Sequence, residues 1–198
     1  MKTFRIAQLW IAALALLLLG GCTVSTHEKK DASGKNEDVD IRTPLGSLSV
    51  HSGNVDVKDT GLAVYPHARP LPHNKNDEDA NVNISTPVFG LKVVAVRYES
   101  DDPQDKVLSF YRKELGKYGS VVQCSTSGTE LDFKHEDDDD DGPVTCKDSD
   151  KGSKNGNIEL KTGTRHNQHI VAIDKQGSTT SFNLVYVRIH TGKDKDVI

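Results

Sequence analysis

Hydrophobic and polar positions alternate with a period of two along several stretches of the chain. Residues 39–42 and 48–50 alternate in this way on either side of a Thr-Pro-Leu-Gly turn, which predicts a β-hairpin. Residues 88–98 are rich in valine and are apolar at both odd and even positions, which predicts a central strand covered on both faces. Further strands are predicted at residues 121–124, 158–161, 169–173 and 180–190.

One stretch instead has the period of an α-helix. Asp102 is predicted as the N-cap, Pro103 as the first helical residue and Gly119 as the residue after the helix. The apolar stripe comprises Val107, Tyr111, Leu115 and Tyr118, with Leu108 and Phe110 beside it. One helix with seven or eight strands predicts an α+β fold: a mostly antiparallel sheet with this helix packed on one face.

The start of the chain has the three parts of a secretory signal. Lys2 and Arg5 form a basic head, residues 6–19 are apolar except for Gln8, and Gly20-Gly21-Cys22 follows at once. The apolar run has 14 residues and would reach roughly 21 Å as a helix, whereas a bilayer core needs about 30 Å. We therefore predict a signal peptide over residues 1–21.

The Leu19-Gly20-Gly21-Cys22 ending resembles the lipobox of bacterial lipoproteins. This resemblance implies that Cys22 is the first mature residue and carries acyl chains such as palmitate. Two or more chains anchor a protein stably where one does not. Thr23 resembles the outer-membrane default in diderm bacteria, so the resemblance implies an outer-membrane protein that faces the periplasm.

Composition divides the mature chain into a tether and one domain. Residues 22–38 are polar and charged, and we predict a lipidated, disordered tether there, followed by a single domain over residues 39–198. The whole chain has 25 Lys and Arg against 29 Asp and Glu, so removing Lys2 and Arg5 leaves 23 against 29, a formal charge of −6. This acidic balance disfavours nucleic acid and anionic lipid as partners, so attachment to the membrane is expected to depend on the acyl chains and not on charge.

Two cysteines remain after Cys22. Cys124 and Cys146 form an even pair in a chain that carries an export signal, and exported domains retain disulfides. We predict a Cys124–Cys146 disulfide. The alternatives are two free thiols or half of a metal site.

An acidic run offers a candidate calcium loop. Asp137, Asp139 and Asp141 with Gly142 match the start of the D-x-[DN]-x-[DN]-G pattern, and Asp148 falls at position 12. That position holds Asp where the bidentate ligand is usually Glu, and no helix pattern flanks the loop. A solvated acidic loop is the competing interpretation, and any calcium affinity is expected to be no tighter than about millimolar.

A second resemblance involves three segments. They are Gly61-Leu-Ala-Val-Tyr-Pro-His-Ala68, Tyr98-Glu-Ser-Asp-Asp-Pro and Val107-Leu-Ser-Phe-Tyr-Arg112. Together they are similar to a module of uncharacterised bacterial lipoproteins that has Val-Tyr-Pro-Gly-Ala and a later Val-x-x-Phe-Tyr helix. His67 stands where that module has Gly. The resemblance implies no activity and transfers no functional residue.

No catalytic motif emerges from the sequence. There is no G-x-S-x-G elbow for a nucleophilic serine. His166 and His169 have no cysteine or acidic residue that completes a metal-binding motif, so we predict surface or turn histidines. The aromatic residues of the helix are predicted to be core. We therefore expect a lipid-anchored envelope protein, more a binding or structural module than an enzyme, with an unknown envelope partner. The alternatives are a periplasmic enzyme of unrecognised type and a calcium-responsive module over residues 137–148.

Overall fold

The computed structural model describes residues 23–29, 36–52, 55–71, 79–125, 141–146 and 158–191. Within these ranges the chain forms one ten-stranded sheet and one α-helix. The strands are β1 Thr23–Lys29, β2 Asn36–Thr43, β3 Gly46–Ser52, β4 Arg69–Pro70, β5 Ala80–Ser85, β6 Phe89–Ser100, β7 Val122–Ser125, β8 Ile158–Thr164, β9 Asn167–Gln176 and β10 Thr179–Thr191. The helix, α1, is Gln104–Leu115.

Antiparallel pairing connects all of the strands. Their order is β1-β2-β3-β5-β6-β10-β9-β8-β7, and β4 also pairs with β6. The longest pairing joins β6 and β10, from Thr180 opposite Ser100 to Thr191 opposite Phe89. The valine-rich stretch is therefore a central strand, and the predicted class, a mostly antiparallel α+β fold, is confirmed.

The helix forms where the sequence predicts it, but its ends differ by a few residues. Pro103, and not Asp102, is the N-cap, and its ring cannot supply a side-chain cap. The Asp102 carboxylate instead accepts hydrogen bonds from the Tyr65 hydroxyl and the Lys106 amine. At the other end Gly116 caps the helix in a right-handed conformation. Gly119 has a φ of +141° and lies in the turn that leads to β7.

The apolar residues fall into two clusters that follow the alternation of the strands. Phe182 and Leu184 of β10 belong to the larger cluster, whereas Val185 and Val187 belong to the smaller one. The four buried residues of α1 all join the larger cluster: Val107, Leu108, Tyr111 and Leu115. The helix contacts β8 and β9, so the main core lies against the β6, β8, β9 and β10 part of the sheet.

The structure differs from the sequence prediction at the start of the domain. Thr23–Lys29 of the predicted disordered tether form β1, which pairs along its whole length with β2 from Lys29 opposite Asn36 to Thr23 opposite Arg42. The prediction considered only how little apolar surface this segment can bury. An added strand is instead held by main-chain hydrogen bonds along a sheet edge, which composition does not reveal.

Two other segments also differ. No strand is predicted over residues 80–85, yet β5 forms there, since Asn81-Val82-Asn83-Ile84 alternates with period two despite its polar residues. Residues 55 and 56 lead into a 3₁₀ turn, Val57–Thr60, which the sequence patterns do not predict.

Candidate functional site

The predicted disulfide is present. Cys124 of β7 is bonded to Cys146, with 5.5 Å between their Cα atoms, and Cys124 is buried. The bond ties the sheet-edge strand β7 to residues 141–146. That segment is also fixed to the β8–β9 turn, because Pro143 forms a β-bridge with Thr164 and the Val144 amide donates to the Gly163 carbonyl.

The candidate calcium ligands are placed only in part. Asp137, Asp139 and Asp148 lie outside the described residues. The Asp141 carboxylate accepts hydrogen bonds from the Thr164 hydroxyl and the His166 amide, both at 2.8 Å. Asp141 therefore anchors the loop to the β8–β9 turn. Among the residues that the structure describes, no group of three or more His, Cys, Asp or Glu is arranged to hold a metal.

Cys22 and residues 1–21 also lie outside the described part of the chain. Thr23, the residue after Cys22, is the first residue of β1. Within the described ranges, no helix has both the length and the apolar character needed to cross a membrane.

The segments that carried the second resemblance meet in one hydrogen-bonded cluster. The Tyr65 amide donates to the Tyr111 hydroxyl at 3.0 Å, and the Tyr65 ring meets the edge of Phe110 with centroids 5.2 Å apart. The Tyr65 hydroxyl donates to Asp102, and the Lys106 amine beside that carboxylate, together with this hydroxyl, lowers the pKa of Asp102. These motif residues thus join the 60–70 segment to the helix, which explains their pattern by packing.

A second cluster lies beyond the end of the helix, and the sequence analysis missed it. His169 was read as a surface or turn residue, but it lies within β9 and is 8% exposed. Its imidazole stacks on Tyr118, at a centroid distance of 3.9 Å, and also contacts the tilted ring of Tyr186, at 4.9 Å. The Tyr118 hydroxyl donates to the Gly61 carbonyl. The available signal was the alternation of β9, which puts His169 on the same face as Val171 and Ile173.

This cluster favours a neutral imidazole. Burial lowers the pKa of His169, so the ring is uncharged near pH 7. Thr162, directly opposite His169 in the β8–β9 register, is fully buried, and its hydroxyl has no hydrogen-bond partner in the described structure. The ring contacts orient His169, yet within the described residues no hydrogen bond links its imidazole to a hydroxyl or carboxylate that would complete a nucleophile–base pair.

A third feature is an exposed apolar surface at two neighbouring turns. The β2–β3 turn is Thr43-Pro44-Leu45-Gly46, and the β5–β6 turn contains Thr86-Pro87-Val88-Phe89. Leu45 is 78% exposed, Val88 72% and Phe89 39%, which makes three of the four large exposed hydrophobic residues of the described chain. We call the exposed set Pro44, Leu45, Pro87, Val88 and Phe89 the apolar tip.

Both turns are held by the same threonine contacts. The Thr43 hydroxyl donates to the Gly46 carbonyl and accepts from the Leu45 amide, while the Thr86 hydroxyl donates to the Phe89 carbonyl and accepts from the Phe89 amide. The turns also touch each other: a Cβ on Gly46 would lie 2.5 Å from the Ser85 carbonyl oxygen. The repeated Thr-Pro-apolar sequence was the available signal, but only the copy at residues 43–45 was interpreted as a turn, and Val88 was assigned to a strand.

Comparison with known proteins identifies no relative of this chain. No protein-family model, curated protein or solved structure matches the chain significantly.

Proposed function

We propose that this chain is a lipid-anchored protein of the bacterial cell envelope, attached through Cys22, whose domain serves as a non-enzymatic binding or structural module. The observation that carries the proposal is the signal sequence that ends in Leu19-Gly20-Gly21-Cys22. In a diderm source the protein would reside in the outer membrane and face the periplasm, since Thr23 follows the cysteine.

The bonded cysteines support export. Disulfides persist in the periplasm and outside the cell and are rare in the cytosol. The Cys124–Cys146 bond is part of the fold, because it ties β7 to the segment that pairs with the β8–β9 turn. A signal for export and a domain that uses an oxidising compartment point to the same location.

The position of the helix supports a module in which one face of the sheet is covered. We infer that α1 covers one face of the sheet, since its buried residues join Val96, Val171 and Leu184 in one cluster, and these three share a face by strand alternation and register. The opposite pleat face carries Val185 and Val187, which belong to the other cluster. The sheet then supplies a rigid platform, and its turns carry the exposed apolar residues.

A binding or structural role fits the described sites better than catalysis does. His169 is buried and clamped by two aromatic rings, and the Asp141 carboxylate is used to fix a turn. By contrast, the apolar tip is exposed and internally braced, as expected of a contact surface.

Metabolic labelling tests the anchor. In a diderm bacterial host supplied with an alkyne-tagged palmitate, the wild-type chain should become labelled and enter the detergent phase on phase separation. Cys22→Ser should lose the label and leave an uncleaved precursor or a soluble chain. Cys146→Ser is the matched control, because it also removes one cysteine sulfur but leaves Cys22 in place, and it should remain labelled. If Cys22→Ser is labelled and processed to the wild-type mass, the proposal is wrong.

A further inference from the structure

The apolar tip lies at the end of the sheet where β1 begins, one residue after Cys22. In the register of β1 and β2, Thr23 is directly opposite Arg42, and the β2–β3 turn begins one residue after Arg42. Ser47 is opposite Ser85, which places the β5–β6 turn at the same end. With strands about 4.8 Å apart, the first turn lies about 7 Å and the second about 17 Å across the sheet from β1.

The composition of this end suits a bilayer surface. No charged residue occurs over residues 43–50 or 80–91. Arg42 precedes the first stretch and Lys92 follows the second, whereas Asp79 lies before β5, at the end of that strand remote from the turn. Apolar side chains at a membrane interface with cations at the level of the phosphates form a favourable arrangement. The rest of the mature chain is acidic, so this end differs in character from the molecule as a whole.

The braced geometry of the tip reduces the cost of such contact. Threonine hydroxyls fix both turns, and the prolines restrict the backbone, so little conformational entropy remains to be lost on binding. The two turns, together with Arg42, Ser47, Ser49 and Ser85, line a shallow open depression of about 660 Å³. The Ser49 hydroxyl donates to Asp40, whereas the Arg42 guanidinium and the hydroxyls of Ser47 and Ser85 are suited to hydrogen bonds with lipid head groups.

We propose that the apolar tip contacts the lipid bilayer beside the acylated Cys22, so that Leu45 and Val88 enter the interface and hold the sheet upright on the membrane. The inference rests on the proposed lipid anchor. The position of the anchor selects this occupant: when Cys22 is acylated, β1 begins at the membrane surface, and the tip is on the same end of the sheet.

The mature chain is well suited to a fluorescence test. The only tryptophan, Trp10, lies in the predicted signal peptide, so the mature protein has no tryptophan background. We would place single tryptophans by Leu45→Trp and Val88→Trp in the acylated protein and reconstitute each in phosphatidylcholine vesicles whose acyl chains carry bromine. Ser178→Trp is the matched control, since Ser178 is an exposed residue of the β9–β10 turn at the other end of the sheet, about 40 Å away along β10.

The tryptophan emission of Leu45→Trp and of Val88→Trp should be blue-shifted, and the brominated lipid should quench most of its intensity. Ser178→Trp should keep the emission of an exposed residue. If both tip variants behave like Ser178→Trp in vesicles while palmitate labelling of Cys22 is intact, the tip inference fails and the anchor stands. If Cys22 is not acylated, the anchor itself fails. Emission that shifts with protein concentration but is not quenched by brominated lipid would indicate a second copy of the chain and would overturn the inference.

Discussion

Tyr111→Phe removes one oxygen atom from the centre of the packed half of the domain. The Tyr111 side chain is fully buried, and its hydroxyl accepts a hydrogen bond from the Tyr65 amide at 3.0 Å. Tyr65 is itself 8% exposed, so water does not readily replace the lost partner. A buried donor left without an acceptor costs about 1–3 kcal/mol.

The expected loss is therefore about 2 kcal/mol of the free energy of unfolding, which corresponds to a melting temperature roughly 4–8 °C lower in a domain of this size. Urea and thermal denaturation of the oxidised mature chain, made with Cys22→Ser to avoid acyl chains, would measure it. Tyr98→Phe is the matched control: the Tyr98 ring stacks on Phe182 at 6.0 Å, and phenylalanine preserves that contact.

Two results would refute this reasoning. A Tyr111→Phe variant within about 0.5 kcal/mol of wild type would mean that the Tyr65 amide finds another partner. An equal loss in Tyr98→Phe would mean that the hydroxyl deletion acts through general packing and not through the Tyr65 contact.

The disulfide and His169 give further expected outcomes. The Cys124–Cys146 bond spans 22 residues, so reduction of the wild-type chain should lower the free energy of unfolding by about 3 kcal/mol in urea titrations, and an unchanged midpoint would contradict this. Burial depresses the folded-state pKa of His169, so the unfolded state binds more protons below about pH 6.5, and stability should fall as the pH falls below that value. His169→Phe should flatten this part of the stability–pH curve.

Local pattern predicted the packed half of this fold well. Valine runs, a helical stripe and Gly-containing turns each reflect interactions between residues near in sequence, and β6, α1, β8, β9 and β10 form where those signals are strong. The Cys124–Cys146 pairing was predicted because two cysteines allow only one bond within the domain.

The other half was predicted less well because its apolar signals are weak. β1 is polar and β5 is polar at alternate positions, and both are held by main-chain pairing with neighbouring strands, which the composition of the segment itself does not reveal. His169 illustrates the same limit at a single side chain, since its burial depends on Tyr118 and Tyr186, which approach it from other elements. Asp102 was assigned to the helix cap by local rules, but the distant Tyr65 hydroxyl takes its carboxylate.

The sheet consists of two halves that differ in how deeply their residues are buried. β6, β8, β9 and β10 have the buried core and α1, so that half supplies stability. β2, β3 and β5 contain no fully buried residue where burial is described, although residues 39–42, 47–50 and 81–84 alternate between apolar and polar. That half contributes little core, yet it presents the two braced Thr-Pro turns next to the first residue after Cys22. Because Leu45 and Val88 are exposed, substitutions at these two positions should leave the fold intact, which makes the tip separable from stability by experiment.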